Sequence, residues 1–178
     1  FFPISTGITM SDSRRRKLLE LEDLTIIADE VYQLLYFDDN IPPPPLIHYA
    51  SLLNKNNVIS LGSFSKILAP SLRLGWIDTS PKFIDIFCGC GMLDSSGGLN
   101  PITSSFVHHI IDSGDLDKNI KYLRLELKSR CESLSNGLLE YLPQYEGCFT
   151  VPKGGYFIWF NAMKDTSQIT NDRVKFHN

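Results

Sequence analysis

A lysine flanked by hydroxyls and followed by an arginine is a pattern with chemistry in it. In Ser63-Phe64-Ser65-Lys66-Ile67-Leu68-Ala69-Pro70-Ser71-Leu72-Arg73 the lysine stands where a largely apolar stretch runs from a strand into a turn. Lysine is seldom buried unless something holds it. Upstream, Leu24-Thr25-Ile26-Ile27-Ala28-Asp29 is a short apolar run that ends in an acid and continues Glu30-Val31-Tyr32. In a doubly wound sheet, ligands bind beyond the carboxyl ends of the strands. Asp29 and Lys66 are both expected there, each from its own strand.

One acid, one lysine, two hydroxyls and one arginine suit a particular kind of ligand. Ser63, Ser65 and Arg73 fit a phosphate dianion, which a guanidinium grips with a two-pronged fork. Lys66 is an amine nucleophile toward a carbonyl once its pKa is depressed. A neighbouring arginine works in that direction, because like charge disfavours the protonated amine. Asp29 would hold a basic ring nitrogen protonated. A phosphate, an aldehyde and a ring nitrogen together describe pyridoxal phosphate, whose binding sites pair a Schiff-base lysine with an acid on the pyridinium nitrogen.

Taken singly, the same residues read more plainly. Asp29 would cap a helix, Tyr32 would be a half-buried aromatic, and Ser63 and Ser65 would be turn residues. Arg73 alone would be a surface or ion-pair residue. The Gly62–Lys66 stretch is not a nucleotide phosphate loop, which needs a second glycine before the lysine and a Ser or Thr after it. His108 and His109 fall in an amphipathic helix, and Tyr36 and Trp76 read as packing residues. The conjunction of Asp29, Tyr32, Ser63, Ser65, Lys66 and Arg73 carries the functional reading.

The elements that must position them alternate. Ser11 is an N-cap for a helix through Arg14-Arg15-Arg16-Lys17-Leu18-Leu19-Glu20-Leu21-Glu22. The basic run in it reads as a solvated helix face. Strands are expected at 24–29, 58–63 and 72–78; the first suits a parallel strand buried on both faces. The proline run at 41–46 must be an extended crossing. Ser80-Pro81 opens a helix, and a second, over 102–114, is stopped by Gly114. Then Leu116, Ile120, Leu123, Leu127, Cys131, Leu134 and Leu138 recur at steps of three and four, one apolar stripe on a long helix. Residues 147–160 read as two strands around Pro152-Lys153-Gly154-Gly155. This order predicts an α/β class: part of a mostly parallel sheet with helices over 1–115, then a long connecting helix and part of a smaller α+β domain over 116–178.

Composition narrows the class. The chain of 178 residues is 43% hydrophobic and 21% charged, the balance of a soluble domain. Seventeen basic against twenty acidic residues leave a net charge of −3, which argues against a nucleic-acid footprint. No apolar run reaches membrane-spanning length, and no signal peptide opens the chain. Cys88, Cys90, Cys131 and Cys148 lack zinc-site spacing and read as reduced thiols. An intracellular, most simply cytoplasmic, location is expected, with an organelle open because no N-terminal address is seen.

Ala28-Asp29-Glu30-Val31-Tyr32-Gln33-Leu34-Leu35-Tyr36-Phe37 followed by Gly62-Ser63-Phe64-Ser65-Lys66-Ile67-Leu68-Ala69-Pro70-Ser71-Leu72-Arg73-Leu74-Gly75-Trp76 resembles the fold type I pyridoxal-phosphate enzymes, specifically the class I/II aminotransferases. The likeness is greatest to the aminoadipate, kynurenine and aromatic branch, and Pro152–Phe160 resembles a segment of that family's small domain. The resemblance implies that Lys66 forms the Schiff base and shuttles the proton between the substrate α-carbon and the cofactor. It implies that Asp29 pairs with the ring nitrogen, Tyr32 donates to the ring's phenolic oxygen, and Ser63, Ser65 and Arg73 bind the phosphate. Gly75 would permit close backbone approach. Amino acids and 2-oxo acids would be the substrates, and a homodimer the working form.

The sequence departs from the family in places. Ile4 stands where the family has an asparagine that binds the phenolic oxygen, although Thr6 and Gly7 match. A hydrocarbon side chain cannot make that bond. The glycine loop and stacking aromatic expected upstream, and the carboxylate-binding arginine expected downstream, are not in the sequence; Arg173 is not given that role. A fragment, a truncated product or a decayed copy is therefore expected. The alternative function is an aminotransferase-like domain that binds cofactor or a partner without turnover, as in the effector domains of bacterial transcription regulators. Lyases and decarboxylases of the same fold share every residue named.

Overall fold

The structure, a computed structural model, describes residues 9–21, 23–37, 44–94, 100–143 and 146–161. Ile4, Thr6, Gly7, residues 41–43 of the proline run and the C-terminal tail lie outside the described residues. Among the described residues, three strands form one sheet in the order β1 (Ile26–Asp29), β2 (Val58–Ser63), β3 (Gly75–Thr79). β1 runs parallel to β2 with Asp29 opposite Leu61, and β3 runs antiparallel to β2 with Gly75 opposite Ser63. An antiparallel edge on an otherwise parallel sheet is common in α/β folds. Strand alternation puts Ile27, Asp29, Leu61, Ser63 and Ile77 on one face and Ala28, Val58 and Trp76 on the other.

The second face is covered by α1 (Asp12–Leu18) and α2 (Leu46–Leu52). Leu19, Ala28, Leu46, Tyr49, Ala50 and Val58 make one buried cluster there. Ser11 caps α1 through Arg14 N–H as its sequence suggests, but the helix ends at Leu18, short of the expected Glu22. The turn that follows is tied from a distance: the Asn57 amide donates to Leu21 O at 3.1 Å and Leu24 O at 2.9 Å.

The basic run of α1 is not wholly solvated. Arg15 is 1% exposed and pairs with Glu30 at 3.1 Å. Glu30 also accepts from Ser60 Oγ at 2.5 Å and from Leu46 N–H at 2.9 and 3.1 Å. This carboxylate thus caps α2, a helix the sequence reading did not anticipate because Pro45 offers no side-chain cap. Arg15 gives its other hydrogen bonds to Met10 O and Pro44 O.

After β3 come α3 (Pro81–Cys88), α4 (Gly91–Asp94), α5 (Pro101–Asp112) and α6 (Asp115–Tyr141). Gly114 turns the chain between α5 and α6 at φ +71°, a value glycine adopts at no steric expense. The α6 stripe packs where expected at its start: Leu116, Ile120, Leu123 and Leu127 join Tyr32, Leu35 and Ile67 in a second cluster. Farther along, Ser135 is buried and Leu134 is exposed. The expected hairpin at 147–160 is reduced to one antiparallel bridge, Phe149 to Phe160. A second bridge, Tyr36 to Gly154, takes this segment to the residues after β1 instead. All four cysteines are free thiols.

Candidate functional site

The site lies past the carboxyl ends of β1 and β2. The turn at 64–68 starts at the end of β2 and is closed by Leu68 N–H to Phe64 O at 2.8 Å. Ile67 is buried in the second cluster, so its neighbour Lys66 is anchored at the root and half-buried. The ammonium of Lys66 stands 5.5 Å from the centroid of the Tyr32 ring. Tyr32 is itself buried, wedged edge-on against Tyr156 and Phe157. Its position follows from β1, since Asp29 ends the strand and a tight turn carries the chain through Tyr32.

Ser63, Ser65 and Arg73 are brought together. Ser65 N–H donates to Ser63 Oγ at 3.1 Å, and Arg73 Nη1 donates to Ser65 Oγ at 3.4 Å. The same guanidinium nitrogen binds Pro70 O at 3.0 Å. Arg73 has left-handed backbone, φ 51° and ψ 41°, after a 3₁₀ turn at Pro70–Leu72. For a long side chain this is an uncommon conformation that needs support from its surroundings. It sets an exposed guanidinium beside two hydroxyls, a donor group suited to a phosphate.

Asp29 is exposed on the same sheet face as Ser63, and the β1–β2 register sets it opposite Leu61, one strand over. Ser63 follows two residues later on that strand. Gly75 faces Ser63 across the β2–β3 pair, where an added Cβ would lie 2.6 Å from Gly62 O. The close approach it permits is therefore between strands. Trp76 packs on Phe64 at 4.9 Å, so it supports the turn from behind. His108 is exposed and pairs with Asp112 within α5.

The sequence reading missed how the site is backed. Gly155 N–H donates to Leu35 O at 2.7 Å and Phe37 N–H to Lys153 O at 2.9 Å. From α6, Arg124 donates to Leu34 O at 2.8 Å and lies 3.7 Å over the Tyr36 ring. The family-like segment 152–160 was visible in the sequence; its pairing with residues 35–37 was not, because nothing local encodes it. Among the described residues no group of His, Cys, Asp and Glu is placed to hold a metal ion. Among them, too, no helix is long and apolar enough to cross a membrane.

A lysine raised on a turn at the carboxyl edge of an α/β sheet, with serine and arginine donors on the same stretch of chain, is an arrangement whose groups suit a phosphorylated carbonyl compound. The comparisons with known proteins specify the fold further. No protein-family model matches the chain. Aromatic-amino-acid aminotransferase 1 of Thermococcus litoralis is 33% identical over 167 residues, 89% of this chain and 37% of the relative. The HTH-type transcriptional regulator YdfD of Bacillus subtilis is 31% identical over 166 residues, 91% of this chain and 33% of the relative. The crystal structure of Pyrococcus horikoshii kynurenine aminotransferase, in complex with PMP, superposes with a TM-score of 0.81 at 31% identity, covering 98% of this chain and 43% of that one. The chain thus has the α/β fold of part of a fold type I aminotransferase. It spans about a third of the length of the curated relatives it matches.

Proposed function

We propose that this chain is the lysine-bearing part of a pyridoxal-phosphate-dependent aminotransferase that moves an amino group between an amino acid and a 2-oxo acid in amino-acid metabolism. The observation that carries the reading is the placement of Lys66 Nζ over Tyr32, with Ser63, Ser65 and Arg73 linked at the same end of β2. These residues fit the cofactor's parts: donors for a dianion, an amine for an aldehyde, and Asp29 for a ring nitrogen. When bound, the cofactor supplies an electron sink for the bond cleaved at the substrate α-carbon.

The chain's own residues do the rest. Arg73 and the two serines bind and orient the phosphate. Asp29 holds a proton on the ring nitrogen, and Tyr32 offers its hydroxyl to the phenolic oxygen. Lys66 Nζ holds the group covalently and then moves a proton at the substrate α-carbon. The likeness to the aromatic and kynurenine enzymes favours that branch. The same reading includes a homodimeric, intracellular working form, with residues 1–115 belonging to the large cofactor domain and 116–178 to the helix and small domain.

A second reading is favoured by the regulator relative: an effector domain that binds the cofactor without turnover. One experiment addresses both. The purified chain is mixed with pyridoxal phosphate, reduced with borohydride and mapped by mass spectrometry, with Lys66→Ala as control. The expected result is a visible band fixed by borohydride and a single adduct at Lys66. Labelling elsewhere, or none in folded protein, removes the cofactor reading. Added amino acid then separates the two functions: a bound cofactor that passes to the pyridoxamine form supports the transferase, and one that does not supports the effector domain.

A further inference from the structure

Two consecutive carbonyls in the lysine turn are held by side chains from far along the chain. Tyr156 donates its hydroxyl hydrogen to Lys66 O at 2.9 Å. Asn119, on α6, donates from Nδ2 to Ile67 O at 2.7 Å. Meanwhile the N–H groups of Leu68 and Ala69 are both taken up locally by Phe64 O. The turn is therefore closed on itself through its donors and tied to α6 and the 146–161 segment through its acceptors.

Tyr156 makes a second contact that bears on the lysine. Its ring meets the Tyr32 ring edge-on, centroids 5.9 Å apart and planes at 63°, and the Tyr32 ring is the surface beneath Lys66 Nζ. One residue thus touches both the main-chain root of Lys66 and the aromatic wall at its tip. Tyr156 is only partly buried; that partial desolvation moves its phenol above its ordinary pKa, and the hydroxyl is a donor at neutral pH as in any tyrosine. A lysine side chain has a long flexible stem. Its ammonium can be presented reproducibly only if the peptide at its base and the wall beside it are both fixed.

We infer that Tyr156, seconded by Asn119, is a positioning residue that sets the Lys66 peptide and the Tyr32 ring and so determines where the lysine amine is presented. The inference rests on the reading of Lys66 as the Schiff-base lysine. In that reading, the amine condenses with the aldehyde of pyridoxal phosphate, a C=N bond replaces the C=O bond, and water leaves. Borohydride then adds hydride to the imine carbon, and the nitrogen takes a proton.

The test compares the chain with Tyr156→Phe, which keeps the ring and removes the hydroxyl. Tyr122→Phe, an exposed tyrosine elsewhere on α6, is the control. Asn119→Ala is the second variant. The first readout is amide hydrogen exchange, which needs no cofactor. Tyr156→Phe should speed exchange in residues 64–69 roughly fivefold, the factor associated with one hydrogen bond, and leave β1 and β2 protected. The second readout is the pH midpoint of the visible band formed with pyridoxal phosphate, a spectroscopic property of the lysine nitrogen itself.

A shifted midpoint together with faster exchange at 64–69, absent in Tyr122→Phe and repeated in Asn119→Ala, is the expected outcome. Faster exchange with an unmoved midpoint makes Tyr156 a structural residue only and overturns the inference. Unchanged exchange also overturns it, because then the hydroxyl holds nothing. Failure of the wild-type chain to be labelled at Lys66 removes the cofactor reading and the inference with it. That case is recognised by an exchange contrast that persists without any adduct.

Discussion

Glu30 shows how far a single residue can be from the role its neighbourhood suggests. It lies next to Asp29, the candidate cofactor residue, yet it is 6% exposed and serves α1, α2 and β2 together. Its strand alternation explains the difference: Asp29 lies on the face away from α1 and α2, and Glu30 is turned toward those helices. Removing it strands the Arg15 guanidinium in the interior. Glu30→Ala is expected to lower stability by about 3–5 kcal/mol, the range for breaking a buried pair from one side. Urea denaturation measures it, and a loss below about 1 kcal/mol, the scale of an exposed pair, would show that water reaches Arg15. The sequence did contain a clue. Arg15 and Leu19 lie at i and i+4 on one helix face, and Leu19 is wholly buried. Reading four consecutive basic residues as one solvated run hid that periodicity. Lys66, Ser65 and Arg73 were legible for the opposite reason. Their proposed chemistry is carried by residue type and short spacing, and the fold brings Arg73 to Ser65 Oγ at 3.4 Å.

At the scale of elements, β2 and β3 meet closely at two diagonal glycines, Gly62 opposite Trp76 and Gly75 opposite Ser63. A Cβ on Gly62 would lie 2.0 Å from Trp76 Cε2, and one on Gly75 would lie 2.6 Å from Gly62 O. The second obstacle is backbone and cannot swing aside. Gly75→Ala should therefore force β3 away from β2 and cost about 1–3 kcal/mol, as overpacking does. The loss should be accompanied by a changed tryptophan emission, because the indole lies over Gly62 and tilts against the Phe64 ring. Thermal unfolding followed by fluorescence measures both, and an unshifted midpoint would mean that the strands separate freely. Strands with continuous apolar runs, such as β2, were legible within their exact bounds of Val58–Ser63. β3 was misplaced by three residues at its start because Leu72 and Arg73 are taken by the 3₁₀ turn and the left-handed arginine. Residues 147–160 have the composition of two strands, but their backbone groups are shared with residues 35–37 as well as with each other. That choice is made by tertiary contacts, which no local propensity records.

Across the whole molecule, the two sheet faces are treated differently. One carries the cluster under α1 and α2. On the other, Ile27 is 66% exposed and Ile77 is 46% exposed, on the two strands that flank β2. Exposed apolar side chains on one sheet face favour association, even though Ile59 between them is buried, and strands at a sheet margin offer unpaired backbone groups to a neighbour. The superposition on the kynurenine aminotransferase covers 43% of that chain, so in that structure more than half of the polypeptide lies outside the matched part. The 178-residue chain by itself is expected to self-associate through this face as its concentration rises. Ile27→Thr keeps the β-branched geometry that suits a strand and replaces one exposed methyl-bearing arm with a hydroxyl. Because Ile27 is mostly in solvent, the substitution should change unfolding stability by less than about 0.5 kcal/mol while lowering the mass seen by light scattering at high concentration. Light scattering over a concentration series, with Ile84→Thr on α3 as a control for exposed isoleucine in general, makes the comparison. Equal association in all three proteins would assign the contact to another surface. Association relieved only by Ile27→Thr would identify the face of the sheet away from α1 and α2 as the surface that seeks cover, the same face from which Asp29 and Ser63 address the proposed cofactor.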